Sequence, residues 1–236
     1  MSSREVTSPT LSEVAPGIWS VEKDVGGGWH NAMFVVRLRS GGLLIHSPTR
    51  LGDGVMDQIA ALGPVEVLFA PNHFHHLGLP RYRQQFPDAK VAASAGARPR
   101  LEKKGHAGIV DLAEVEPLLP EGARFLRCEG LKNGEVFLSL DAGGTRTWIV
   151  CDAFFHETRP TRGARSLLFR ALGVAPGLKI GRTFQWVGLA DPKAYRAWLD
   201  QALERERPKR ILVSHGTPIE IGDGSALRAE IRRGLG

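Results

Sequence analysis

Along the 236-residue chain, apolar and polar positions alternate in short blocks cut by glycine. Ile18 to Val21, Met33 to Leu38 and Leu43 to Ile45 are apolar runs separated by Gly26-Gly27-Gly28 and Gly41-Gly42. Their β-branched content between glycine breaks predicts strands joined by turns. The period then changes: Val55, Ile59 and Leu62 share one helical face, and Gly63 stands where the helix must stop. Val65 to Ala70 reads as a buried strand, and Pro80 suits the first turn of a helix reaching about Phe86.

Short strands are expected near Val91 and Phe125, followed by a hairpin from Glu135 to Leu140 and Thr145 to Cys151 that turns at Asp141-Ala142-Gly143-Gly144. Thr161 to Trp186 mixes arginine, glycine and brief apolar runs without a steady period, and we read it only as helix-containing, able to cover a cleft or pair subunits. Asp191-Pro192 opens an amphipathic helix with Tyr195, Trp198, Leu199, Ala202 and Leu203 on one stripe. Ile211 to Val213 reads as a strand, and a last helix from about Ser225 carries Leu227, Ile231 and Leu235. No linker or short repeat divides the chain, so one α/β domain over residues 1–236, with two sheets and helices outside, is the simplest arrangement. Residues 1–12 read as a flexible leader.

Composition narrows the class without naming it. A 42% hydrophobic content supports a sizeable core. The polar first residues lack a signal-peptide core, and no run approaches the ~18 apolar residues of a membrane span. A cytoplasmic protein with no membrane partner is expected. Two cysteines, Cys128 and Cys151, read as buried free thiols. The net charge of +6 raises the question of nucleic acid. The basic residues cluster only at Arg159 to Arg170 and Arg205 to Arg210, with no aromatic interleaving, which favours a solvated surface. Nucleic-acid processing therefore ranks last among the functions considered.

Chemistry concentrates after the strand Val65 to Ala70. Pro71-Asn72-His73-Phe74-His75-His76-Leu77-Gly78 places three of the eight histidines within four positions. Asp152 follows a second strand and His215 a third, and strand C-terminal ends are where layered α/β proteins hold ligands. If these ends share an edge, His73, His75, His76, Asp152 and His215 form a metal site, with zinc favoured and iron or manganese as alternatives. His46, His30 and His156 read as ordinary hydrogen-bonded histidines and His106 as surface loop. Glu135 reads as an exposed strand carboxylate in preference to an acid or base.

The histidine segment resembles the H-x-H-x-D-H-x-G loop of the metallo-β-lactamase superfamily. Leu43-Leu44-Ile45-His46-Ser47-Pro48, Gly130-Leu131-Lys132-Asn133-Gly134-Glu135, Ile149-Val150-Cys151-Asp152 and Ile211-Leu212-Val213-Ser214-His215-Gly216 extend the likeness over most of the chain. The H-S-P, A-P-N-x-x-H-H and G-E-V surroundings resemble a divergent bacterial subfamily of unknown function. The resemblance implies a four-layer αββα sandwich and metal-activated hydrolysis of a small-molecule substrate. In this register Pro71 and Leu131 replace two histidines of one metal position, leaving His73 alone, so that position is lost. His75, His76, Asp152 and His215 correspond to the other, with His75 in place of an aspartate. Four bound donors would make a structural site, whereas an open position would keep a water for hydrolysis. A protein that retains the sandwich for binding or scaffolding, with no metal, is the alternative.

Overall fold

The computed structural model describes residues 9–26, 28–160 and 163–236. Residues 1–8 of the expected leader, Gly27 of the first glycine break, and Thr161 and Arg162 lie outside the described residues. The chain is tied down by Leu11, whose amide donates to the Gln58 side chain at 2.9 Å, and Ser12 already belongs to a strand.

The first half builds one sheet. Strands β2 (Ile18–Gly26), β3 (Trp29–Arg37) and β4 (Leu43–His46) form the expected meander, antiparallel, and an unexpected β1 (Ser12–Ala15) extends it beside β2. After α1 (Asp53–Leu62), β5 (Val65–Ala70) pairs parallel to β4; after α2 (Leu79–Gln85), β6 (Lys90–Ala93) pairs parallel to β5. Helix α3 (Arg98–Lys103), β7 (Ile109–Val110) and α4 (Leu112–Val115) complete this half, and the seven strands lie in chain order. β5 is flanked by strands on both edges and covered on both faces, which is why its sequence is a continuous apolar run rather than an alternation.

The second half supplies β8 (Arg124–Arg127), β9 (Val136–Asp141) and β10 (Arg146–Val150), then β11 (Phe155–Glu157), α5 (Gly163–Ala171), β12 (Gly177–Lys179) and α6 (Arg182–Val187). Helix α7 (Pro192–Glu206), β13 (Arg210–Val213), β14 (Ile219–Glu220) and α8 (Ser225–Leu235) follow. The second sheet has the order β14-β13-β10-β9-β8, and β11 pairs with β12 apart from it.

Packing explains the layering. On β3, Phe34 and Val36 point into the space between the sheets, where they meet Leu138, Ile149 and Leu212 of the second sheet. Met33 and Val35 point the other way, toward Val55, Met56 and Ile59 of α1. Trp148 and Val150 on the outer face of β10 pack with Tyr195 and Leu199 of α7 and with Leu227 and Ile231 of α8. The result is helices, sheet, sheet, helices. This is the expected αββα order. Among the described residues, no helix is long and apolar enough to cross a membrane.

The poorly periodic stretch after residue 160 resolves into α5, β12 and α6. Helix α5 has no buried residue, so tertiary burial left no apolar stripe for the sequence to show. Glu157, Glu206 and Glu230 are buried carboxylates, each paired with arginine. Glu206, at the end of α7, receives Arg124 Nη2 at 2.7 Å and Ser139 Oγ at 2.9 Å and thereby fastens the helix to β8 and β9. Burial alone would raise its carboxyl, but these donors and Arg205 hold it below its ordinary value of 4.5. Its stabilisation is therefore present above pH 4.5 and lost as pH falls through the lower folded-state value. Glu206→Gln should lower the melting temperature at pH 7, with the difference from the parent protein narrowing under acid; parallel thermal melts from pH 7 to 3 check this.

Candidate metal centre

The histidine loop is shaped by the residue before it. Asn72 is fully buried, and its Oδ1 accepts the amides of Phe74 at 2.8 Å and His75 at 3.2 Å, an Asx turn that reverses the chain directly after β5. The loop is pinned from outside as well: Val136 N donates to Pro71 O at 3.0 Å and His73 N to Asn133 O at 3.2 Å. Gly78 closes the loop where it passes the end of β4, with its amide on Pro48 O at 3.0 Å. A Cβ there would stand 2.3 Å from the same oxygen, so only glycine fits.

Asp152 is set by a second buried carboxylate. Glu135 Oε1 accepts the successive amides of Cys151, Asp152 and Ala153 at 2.9, 3.0 and 3.2 Å, which turns the chain off the end of β10. Its Oε2 takes the side-chain amides of Asn133 at 3.2 Å and Asn72 at 3.4 Å. The expectation of an exposed Glu135 is thus overturned: the residue is 1% exposed. Burial and the neighbouring Asp152 push its carboxyl up to about 7, against the backbone amides that favour the anion.

His75, Asp152 and His215 come together. Asp152 Oδ1 lies 3.2 Å from His75 Nε2 and 2.9 Å from His215 Nε2, while Oδ2 accepts from Asn72 Nδ2 at 2.7 Å. Burial opposes ionisation of Asp152, yet His75 and the bond to His215 hold the carboxyl well below the usual carboxylate range. The outer nitrogens of both rings are also engaged. His75 Nδ1 lies 2.6 Å from Ser47 Oγ, which is presented by a backbone at φ 60°, a conformation rare outside glycine. His215 Nδ1 lies 2.9 Å from Asn31 Oδ1.

The Asn31 contact fixes a tautomer. Trp29 Nε1, which can only donate, also points at Asn31 Oδ1, at 3.1 Å. That oxygen is an acceptor, so His215 Nδ1 carries the hydrogen. Burial lowers the pKa of His215 despite the bond to Asp152, favouring the neutral ring. The lone pair on Nε2 then faces an anionic oxygen at 2.9 Å. Two electron pairs in that position repel unless a cation or a proton lies between them, and a histidine whose far N–H is held by a carbonyl is oriented as metal-ligating histidines are. Two imidazole nitrogens and one carboxylate oxygen fit the donor set of a catalytic zinc site. Cys151 Sγ lies within 4.8 Å of donor atoms of His75 and Asp152, but burial pushes its thiol pKa well up and it bonds Ser214 Oγ.

His73 and His76 turn toward α3 instead. His73 Nε2 accepts from Arg100 Nη1 at 3.0 Å, and His76 Nε2 accepts from Lys104 Nζ at 3.0 Å. His76 Nδ1 meets His106 Nε2 at 2.8 Å, so His106, expected in a surface loop, is in fact buried against the histidine loop. Partial burial and the Lys104 charge push His76 down to about 4. Leu131 packs into the outer core of the second sheet, and His46 is buried edge-on to Phe69, where desolvation pushes it down to about 3. His30 bonds Glu157 and His156 the carbonyl of Thr217. The sequence reading missed Asn31, Ser47 and Asn72, whose roles depend on partners remote in the chain; only the Asn72 position, right after a buried strand, carried a turn signal.

Solved structures share this architecture. A metallo-β-lactamase from Pontibacter korlensis matches with a TM-score of 0.61, covering 95% of this chain and 99% of its own, at 11% identity. The DIM-1 metallo-β-lactamase matches at 0.63, covering 96% and 98%, also at 11% identity. The chain has the metallo-β-lactamase fold. A flavodiiron protein from Giardia intestinalis matches at 0.61 and 14% identity, but this chain spans only 59% of its length. No family model and no curated protein matches the sequence. Within the metallo-β-lactamase fold, the site sits at the edge where β4, β5, β10 and β13 end. Replacing Asn31 by leucine should leave the N–H groups of Trp29 and His215 unpaired and cost about 1–3 kcal/mol, measured by urea unfolding of metal-free protein.

Proposed function

We propose that the chain is a metal-dependent hydrolase that holds one divalent cation between His75 Nε2, His215 Nε2 and Asp152, with zinc the ion best suited to these donors. The observation that carries this reading is the His215 tautomer, which leaves a lone pair facing the Asp152 carboxylate. His73 and His76 fall outside the set because their Nε2 lone pairs are spent on Arg100 and Lys104. The ion would supply Lewis acidity toward a substrate carbonyl or phosphoryl group and make water more acidic. Three protein donors leave room for water or substrate, which favours a hydrolytic site over a closed structural one.

The surrounding residues orient these groups. Asn31 holds the His215 ring, Ser47 holds the His75 ring, and Asn72 occupies the second oxygen of Asp152 so that Oδ1 alone faces the histidines. Such outer contacts fix both ring orientation and basicity. Metal-free His75, beside Asp152, has a raised pKa even though burial opposes its charge. A cation would therefore compete with a proton for that ring.

Calorimetric titration of chelator-treated protein with zinc tests the reading. One equivalent per chain should bind, with binding abolished in His75→Ala and His215→Ala and retained in His73→Ala and His76→Ala. Ser47→Ala should weaken it about 10–100-fold. Zinc-dependent turnover of ester or phosphodiester probes should accompany binding. Binding without turnover would favour a scaffold, and unchanged affinity in His215→Ala would remove the site.

A further inference from the structure

Two cavities meet at the candidate centre, and Phe74 lines both. The first, about 250 Å³, is floored by His75 and His215 and bordered by Lys23 and Arg50. The second, about 210 Å³, opens onto Asp152 and is walled by Phe155, Phe184 and Val187. Together they have the capacity of a small-molecule site of a few hundred Å³. The two differ in chemistry. Lys23 Nζ donates to Arg50 O and Arg50 Nε to Leu77 O, both at 2.9 Å, and neither cation has a carboxylate partner among the described residues. Their charge is left for something that enters the cavity. On the other side Asp152 is the charged group, and it disfavours an anion next to the apolar wall.

Exposed apolar surface gathers at the same place. Val25, Phe74, Leu77 and Val187 are four of the seven large hydrophobic side chains exposed among the described residues, and all four line these cavities. Exposed apolar side chains concentrated around one cleft mark a binding surface rather than chance exposure.

Resting on the hydrolase reading above, we propose that the substrate is an anionic amphiphile. Its charged group sits against Lys23 and Arg50, its apolar chain lies along Phe155, Phe184 and Val187, and an ester-type bond between them crosses Phe74 beside His75, Asp152 and His215. Hydrolysis adds one water across that bond: the hydroxyl goes to the carbonyl carbon or phosphorus, the bond to the leaving oxygen breaks, and that oxygen takes the proton.

Octanoate, octanol and acetate are suitable probes, titrated calorimetrically into the chelator-treated whole chain so that no metal contributes. Octanoate should bind about tenfold or more tighter than acetate, since burying two methylenes suffices for that factor. It should also exceed octanol, by about tenfold for two partly exposed ion pairs. The double variant Lys23→Gln/Arg50→Gln should bind octanoate no better than octanol, and Val187→Asp should bring it toward acetate; Val187→Ser makes the same comparison with a smaller change. Equal binding of octanoate and octanol, or an unaffected double variant, overturns the anionic seat. Equal binding of octanoate and acetate overturns the apolar one. Repeating the titration in His215→Ala separates the two readings: octanoate binding retained there, with no zinc binding in the parent protein, defeats the hydrolase reading alone.

Discussion

The buried Glu135 and the half-buried Asp152 lie side by side, both receiving hydrogen bonds from the one amide group of Asn72. Like charges so placed cost several kcal/mol unless each is met by donors of its own. Glu135 is met by backbone and side-chain amides, Asp152 by Asn72 and two histidines. Meeting that requirement draws three separate chain segments to one point: the loop after β5, the entry to β9 and the exit of β10. The edge of the sandwich is built around these anions, and His75 and His215 take their places from it.

The same constraint explains why the three clustered histidines part company. With the Asn72 side chain turned back on the amides of residues 74 and 75, His75 faces Asp152 while His73 and His76 face α3. On that side Arg100 Nη1 and Lys104 Nζ donate to their Nε2 atoms. The surroundings of His73 and His76 are thus cationic, while His75 and His215 meet the Asp152 carboxylate.

Contacts between the sheets complete the arrangement. Ala32 N donates to Ser214 O at 2.8 Å and Gly216 N to His30 O at 3.2 Å, joining β3 of the first sheet to the segment leaving β13 of the second. This seam carries Asn31 to His215. The rim is less tightly built: α5 has no fully buried residue and meets the core through the half-buried Phe169, and Trp186 and Val187 of α6 remain exposed. The polar centre thus lies behind a mouth that is apolar at Phe74 and Val187 and cationic at Lys23 and Arg50.

The sequence by itself determined the strands of the meander, the buried β5, the hairpin of β9 and β10, helix α7 with its Asp191-Pro192 start, and the strand ends that carry Asp152 and His215. Apolar periodicity and turn residues are local properties, readable within a dozen positions. β1, β7, β11, β12 and the short helices α3 and α4 escaped because so few residues establish no period. Only the tertiary structure decided that Glu135 lies inside, that His106 packs on His76, and that His75 rather than His73 or His76 meets Asp152. Each of those outcomes depends on hydrogen-bond partners contributed from distant segments, and a ring nitrogen's partner is set by where the folded chain brings a donor or an acceptor, not by its neighbours in sequence.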